Sequence, residues 1–294
     1  MLEKGCAAMS NLRSLSPYES KVVLSLVEAG RREFNRTSVI DILKVSGRSA
    51  DQVIRSLRDK GWLERPGRGQ YLLIPPNQGP EVTGESNLLA LASRVIKPYY
   101  FAYATAAAYH GLTTQMRNKI WVAITVSGIR NRHIHDSDIR FVRISPRKFF
   151  GYSELKVFDY PVQMSDREKT VIDCVDRIDL AGDASEVRHI IATAARRIDW
   201  EKLARYLERI GSVSLVQRFG FLAESVNVQM PREVRSRLRR FLRPSSRSVL
   251  GPLSKSKDAL GYNSEWKLLV NLSARQLGGD VDLKLPPPPG SRKN

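Results

Sequence analysis

The chain has 294 residues, enough for about two domains with ample core, and 42% of them are hydrophobic. Its net charge of +18 and pI near 10.2 point to a polyanionic partner, with nucleic acid the natural one. Two cysteines, Cys6 and Cys174, exclude a disulfide framework, no run approaches the ~20 apolar residues of a membrane span, and residues 1–10 lack a signal-peptide core; a cytoplasmic protein with no membrane partner is expected.

In chain order, Ser16, Pro17 and Glu19 form a helix start with a capping box. Val22, Val23, Leu26 and Val27 follow at helical spacing, and Gly30 closes the helix. Thr37 is placed to cap a short second helix holding Val39, Ile40 and Leu43, and Gly47 to supply a turn. Ser49 and Gln52 read as a capping box for a third helix reaching about Lys60, with Ala50, Val53, Ile54 and Leu57 inward. Its outer face presents Gln52, Arg55 and Asp59, flanked by Ser56, with Arg48 and Ser49 at its start as further candidate DNA contacts. A strand at Trp62–Arg65, a loop at Pro66–Gly69 and a return strand at Gln70–Ile74 complete the pattern. Three helices followed by a hairpin with Arg65 and Arg68 near its tip predict a winged helix-turn-helix, in which Arg and Gln side chains read base edges and the hairpin meets phosphate or minor groove.

Pro75–Pro80 breaks the pattern. Domains are therefore expected at 1–76 and 88–285, joined by a linker at 77–87 and followed by a disordered tail at 286–294. In the second domain a helix at Leu88–Ile96 precedes the aromatic run Tyr99–Tyr103 and an Ala-rich helix ending at His110-Gly111. Strands are predicted at 120–126, 139–144, 155–158 and 162–164, a helix behind a Ser165/Glu168 capping box, and further helices near 185–196, 200–210, 213–224 and 232–243. The fold class expected is α+β: the N-terminal winged helix-turn-helix, then a larger mixed domain with a small sheet followed by a helical bundle.

Residues 229–257 hold seven Arg and two Lys against one Glu. The helix there is amphipathic: Val234, Leu238, Phe241 and Leu242 form one face, and Arg232, Arg235, Arg239 and Arg243 the other. So many like charges over three turns repel one another and favour flanking DNA, an RNA or an acidic protein surface.

Catalytic signals are sparse. No Walker loop, dinucleotide fingerprint or zinc spacing occurs. His133, His135 and Asp136 lie in what reads as a loop, without a convergent third site. Glu154 and Lys156, with Asp138 upstream, match the end of a restriction-type nuclease motif, which needs two carboxylates on one metal. The run Tyr99–Tyr103 lines either a ligand pocket or the core. No metal, cofactor or catalytic residue is assigned, and the chain is expected not to be an enzyme.

The whole pattern resembles the AbiEi family of antitoxins from type IV toxin–antitoxin systems. The residues that carry the resemblance are the run 99–113 (YYFAYATAAAYHGLT), the strand 120–126, the stretch 162–173 (VQMSDREKTVID) and the late segment 262–271 (YNSEWKLLVN). The resemblance spans about residues 15–272 and rests on the order and spacing of short motifs. It implies a bifunctional protein. The N-terminal domain would repress its own operon by binding inverted repeats in the promoter, and the C-terminal domain would counteract a nucleotidyltransferase-like toxin, without need of a stable complex. It assigns no antitoxin residues.

Overall fold

A computed structural model describes residues 14–67, 69–74, 85–115, 118–134, 137–157, 160–242, 248–252, 261–279 and Pro286. The chain divides into two compact units, Met1–Lys97 and Pro98–Asn294. Helix Glu85–Ala92 thus belongs with the first unit, and the division falls ten residues after the end of the expected linker at 87. Most of the expected linker, and the expected tail beyond Pro286, lie outside the described residues.

The first unit opens with α1, Pro17–Glu28. Its capping box forms as the sequence requires: Glu19 N donates to Ser16 Oγ at 3.4 Å, and Ser16 N donates to Glu19 Oε2 at 2.6 Å. Gly30, with φ +61, turns the chain out of the helix. A short strand β1, Glu33–Asn35, follows, which the sequence reading lacked. Helix α2, Arg36–Leu43, is capped by Asn35, whose side chain accepts from Ser38 N at 2.9 Å, and not by Thr37. Helix α3, Gly47–Asp59, starts two residues before the expected cap: Ser46 Oγ accepts from Ser49 N at 3.3 Å, so Gly47 is the first helical residue. In both helices an extended residue with an acceptor side chain stood just upstream and took the cap.

Strands β2, Leu63–Gly67, and β3, Gln70–Leu73, form the expected hairpin, and β1 joins it in an antiparallel sheet of order β1-β3-β2. Val22, Val23, Leu26, Val39, Ala50, Ile54, Leu57, Trp62 and Leu73 form one core beneath the three helices and the sheet. Helix α4 is Glu85–Ala92, and Arg94 just after it pairs with Glu33 of β1.

The second unit is built on a six-stranded sheet. Its strands are β4 Tyr99–Phe101, β5 Lys119–Ile124, β6 Arg132–Ile134, β7 Ser137–Arg143, β8 Tyr152–Val157 and β9 Tyr160–Ser165. Their order is β6-β7-β5-β4-β9-β8, with β5/β7 and β4/β9 parallel and the other neighbours antiparallel. Helix α5, Tyr103–Tyr109, lies between β4 and β5 in sequence. After β9 the chain is helical: α6 Arg167–Asp176, α7 Ile178–Ala181, α8 Ala184–Ala194, α9 Trp200–Ile210, α10 Val213–Ser225 and α11 Arg232–Arg240. Val171, Ile190, Leu203, Phe219 and Leu238 carry their apolar stripes into one core.

A second small sheet, unforeseen from sequence, closes the unit. It has the order β10-β12-β11, from Ser248–Val249, Leu268–Val270 and Gly261–Asn263. Trp266, fully buried, docks this sheet on Gly220 of α10, where no Cβ stands in the way of the indole. The molecule is therefore mixed α and β, with several sheets and a helical bundle. Among the described residues no helix is long and apolar enough to cross a membrane.

Candidate nucleic-acid interface

Helix α3 is fixed from behind and from the side. Ala50, Ile54 and Leu57 are buried and Val53 is half-buried, as the stripe predicts. Arg36, at the start of α2, makes a bidentate pair with Asp51 at 2.8 and 3.0 Å. Its guanidinium lies over Gly47, in the space a Cβ would take. A planar fork holding a carboxylate in this way locks the first turn of α3 to α2.

Of the residues α3 leaves exposed, Asp51 is held by Arg36, and Arg58 and Asp59 pair with each other at 3.2 Å, which leaves outward Arg48, Gln52 and Arg55. They stand at i, i+4 and i+7, hence on one face. All three are exposed and make no side-chain hydrogen bond or ion pair among the described residues. The two serines expected beside them are engaged within the fold. Ser49 Oγ lies 3.0 Å from Ser46 Oγ. Ser56 turns toward Glu19 and, with Lys60 and Ser16, keeps that carboxylate charged. Burial opposes the charge of Glu19, yet the Lys60 ammonium at 2.7 Å, the Ser16 amide and the Ser56 and Ser16 hydroxyls together hold its pKa down at about 2. Lys44, left-handed at φ 57 and exposed, adds a cation at the turn before α3. It lay in a loop position with no periodic signal.

On the hairpin, Arg65 of β2 is exposed, and Arg68 lies outside the described residues. Glu64 beside it is buried at 8% exposure, and burial raises its pKa to about 7.

The arginine helix needs correcting. Four carboxylates from neighbouring segments meet α11. Arg235 pairs with Glu224 at 2.6 Å and Glu265 at 2.5 Å, and Arg239 approaches Glu265 at 3.4 Å. Arg237 pairs with Glu208 at 2.5 Å and Glu201 at 2.9 Å. The helix is laced to α9, α10 and the turn before β12 and is not a bare cationic stripe. Counting acids along the local sequence missed these partners because they come from up to 36 residues away. Arg232 stays exposed, and Arg243 lies outside the described residues.

The six-stranded order also decides the nuclease constellation. Asp138 is on β7 and Glu154 and Lys156 are on β8, four strand spacings apart, which is about 19 Å. They share no metal. Asp138 is instead bound by His133 Nδ1 at 2.9 Å and Arg140 at 2.6 Å. His135 and Asp136 lie outside the described residues, and among the described residues no three His, Cys, Asp or Glu converge as metal ligands. Tyr99, Tyr100, Phe101, Ala102 and Tyr103 are buried, so this run is core.

One buried cluster escaped the sequence. Lys169 of α6, fully buried, donates to Tyr100 OH at 2.9 Å and pairs with Asp173 one turn later. Tyr100 OH in turn donates to Asp173 Oδ2 at 3.2 Å. The Lys169 ammonium lies 5.2 Å from the Tyr100 ring centre and 5.5 Å from that of Phe150. The expected cap of α6 differs as well. Asp166 accepts from Lys169 N at 2.8 Å, while Ser165 bonds Thr170 and Glu168 takes Lys202 at 2.9 Å. His110 Nε2 donates to Ser165 O at 2.7 Å, which ties the end of α5 to the end of β9.

No protein-family model matches the chain, and no curated protein matches it. Among solved structures the chain is similar to the crystal structure of the RV2827C protein from Mycobacterium tuberculosis. The TM-score is 0.65 at 19% identity, over 90% of this chain and 95% of that one. At this identity the likeness is one of fold, and it runs through both units.

Proposed function

We propose that this protein is a DNA-binding transcriptional autorepressor and the antitoxin of a type IV toxin–antitoxin pair. In this reading the first unit is a winged helix-turn-helix: α3 enters the major groove, and the β2–β3 hairpin is the wing. The observation that carries it is the row Arg48, Gln52 and Arg55, outward and unpaired among the described residues on a helix whose other sides are held. Arg suits guanine and Gln suits adenine, each by two hydrogen bonds. The target is double-stranded DNA with inverted repeats in the chain's own promoter. The second unit counteracts a nucleotidyltransferase-like toxin; this part rests on the AbiEi resemblance of residues 99–113, 162–173 and 262–271. The reading needs no cofactor and no catalytic residue, and it places the protein in the cytoplasm.

The test is binding to DNA immediately upstream of its own gene, against scrambled DNA of equal length, at two salt concentrations. A preference for the upstream DNA that survives the higher salt supports the repressor. Equal, salt-sensitive binding to both sinks it. Arg55→Ala weakens specific binding by about 1–3 kcal/mol and relaxes specificity at one base position. The antitoxin half is tested by co-expression with the product of the neighbouring gene, and growth arrest that this chain fails to relieve removes it.

A further inference from the structure

Among the described residues five large apolar side chains are exposed, and three of them stand on one helix: Tyr18 at 59%, Leu24 at 64% and Val27 at 48%, all on α1. The other two, Tyr109 and Val126, lie in the second unit. Single exposures scattered over a surface are ordinary, whereas three on a helix of 12 residues form a face. The inward stripe of α1 is Glu19, Val22, Val23 and Leu26. At about 100° per residue, the line opposite that stripe runs through Lys21, Leu24 and Glu28, with Val27 on one flank and Tyr18 and Ser25 on the other. The face thus has an apolar centre, a cation about one turn before it and an anion about one turn after it. Tyr18, Lys21 and Glu28 make no side-chain hydrogen bond or ion pair among the described residues.

This face is complementary to itself. Two copies of α1 laid antiparallel, with a two-fold axis level with residues 24 and 25, bring Leu24 against Leu24 and set Lys21 of each copy level with Glu28 of the other. Two ion pairs then close at once, whereas within one copy Lys21 and Glu28 are two turns, about 10.5 Å, apart. A parallel pairing would set Lys21 against Lys21 and Glu28 against Glu28, and like charge disfavours it. In the antiparallel register Val27 packs beside Leu24 of the second copy, and Tyr18 comes level with its Arg31. On that flank, between the end of α1 and α2, lies a groove of about 410 Å³ whose walls include Ala29, Arg31, Ser38 and Asp41. Arg31 and Asp41 are exposed and unpaired among the described residues. The groove therefore offers a guanidinium to a phenol ring and a carboxylate to its hydroxyl.

We infer that α1 is a homodimer interface: two copies of this chain associate through antiparallel α1 helices, with Leu24 at the two-fold axis, reciprocal Lys21–Glu28 pairs beside it, and Tyr18 of each copy in the groove of the other. This goes beyond base reading by α3 and does not rest on it. One pair of 12-residue helices buries less than the ~1,200 Å² of a standard interface, so the dimer is weak, with a Kd on the order of tens of micromolar. The competing explanation is a monomer whose α1 face is only solvated.

The two are separated by sedimentation equilibrium of the full-length protein without DNA, from about 5 to 500 µM. The wild-type mass is expected to climb from 33.2 kDa toward twice that value. Leu24→Glu, K21E and E28K are each expected to weaken self-association about tenfold or more, since the first sets two carboxylates against each other at the axis and each charge reversal turns both ion pairs into like-charge contacts. Mixing K21E with E28K restores both pairs with their signs exchanged, so the two variants are expected to associate with each other about as well as wild type does with itself. The double variant K21E/E28K recovers self-association for the same reason. A role of these residues within one copy, or a dimer formed elsewhere on the chain, predicts no such exchange. A chain that stays monomeric throughout overturns the inference, as does a dimer that none of the three single variants weakens. So does a mixture of K21E and E28K that stays monomeric at concentrations where wild type pairs. Matching circular dichroism and melting of all variants keeps the comparison one of folded molecules. Because no DNA is present, a failed promoter preference is a separate result and leaves this test intact.

Discussion

Two buried glutamates in the first unit carry opposite pH dependence. Glu64 has its pKa raised from 4.5 to about 7 by burial. A raised carboxyl favours the neutral form in the folded state, so its contribution is full below pH 4.5 and is lost as pH rises through about 7. Glu19 has a pKa lowered to about 2, so its contribution is present above pH 4.5 and is lost as pH falls through about 2. Between pH 4.5 and about 7, Glu64 is the one of these two glutamates that tilts stability. Glu64→Gln, which keeps the shape, removes that tilt: the variant gains about 3 kcal/mol over wild type at pH 8 and little at pH 5. Melting temperatures of both proteins from pH 5 to 8 measure it, and parallel curves contradict the assignment. Ser56 shows why residue-scale reading from sequence stops short. By helical angle it flanks the exposed face, yet its hydroxyl serves Glu19, a partner on another helix. Ser56→Ala is therefore expected to lower stability and leave DNA affinity unchanged, the reverse of Arg55→Ala.

At the scale of elements, periodic apolar stripes made nearly every long helix legible, α1, α3, α9 and α10 among them. The caps slipped where two acceptor residues competed, as Ser46 did with Ser49 and Asp166 with Ser165. Strand β1 was hidden because three residues with one apolar side chain give no period. Helix α6 was placed correctly, but its buried face holds Lys169 and Asp173, which polarity assigns to solvent. Their pairing with Tyr100 links α6 to β4, and no local pattern announces a contact across 69 residues. Lys169→Ala leaves Asp173 buried and unpaired and is expected to cost about 3–5 kcal/mol, while Lys169→Met with Asp173→Leu recovers part of it. Urea denaturation of both variants checks this, and a single variant no worse than the double contradicts it. The late segment 262–271 was noticed for its residues but not for its strands. Its anchor is Trp266 on Gly220, so Gly220→Ala forces a methyl into the indole and destabilises by about 1–3 kcal/mol or more, against the ordinary gain of Ala over Gly in a helix. A blue or red shift of tryptophan emission would accompany the displaced ring.

At the scale of the whole molecule, most of the excess charge and the outward row on α3 fall in different units: residues 98–294 hold 33 Lys and Arg against 20 Asp and Glu, and residues 1–97 hold 15 against 10. On the proposed function a chain of net charge +18 would bind any DNA through its backbone, so affinity alone would say little about what it reads. Specificity would have to come from contacts that distinguish bases, and Arg48, Gln52 and Arg55 have the chemistry for it. Arg55→Ala is therefore expected to lower the ratio of promoter to random binding by about 1–3 kcal/mol, whereas loss of a cation that meets only phosphate lowers affinity for both DNAs alike. Titrating wild type and Arg55→Ala on the promoter fragment and on scrambled DNA of equal length measures that ratio, and equal losses on the two would take Arg55 out of base reading and leave it a backbone contact.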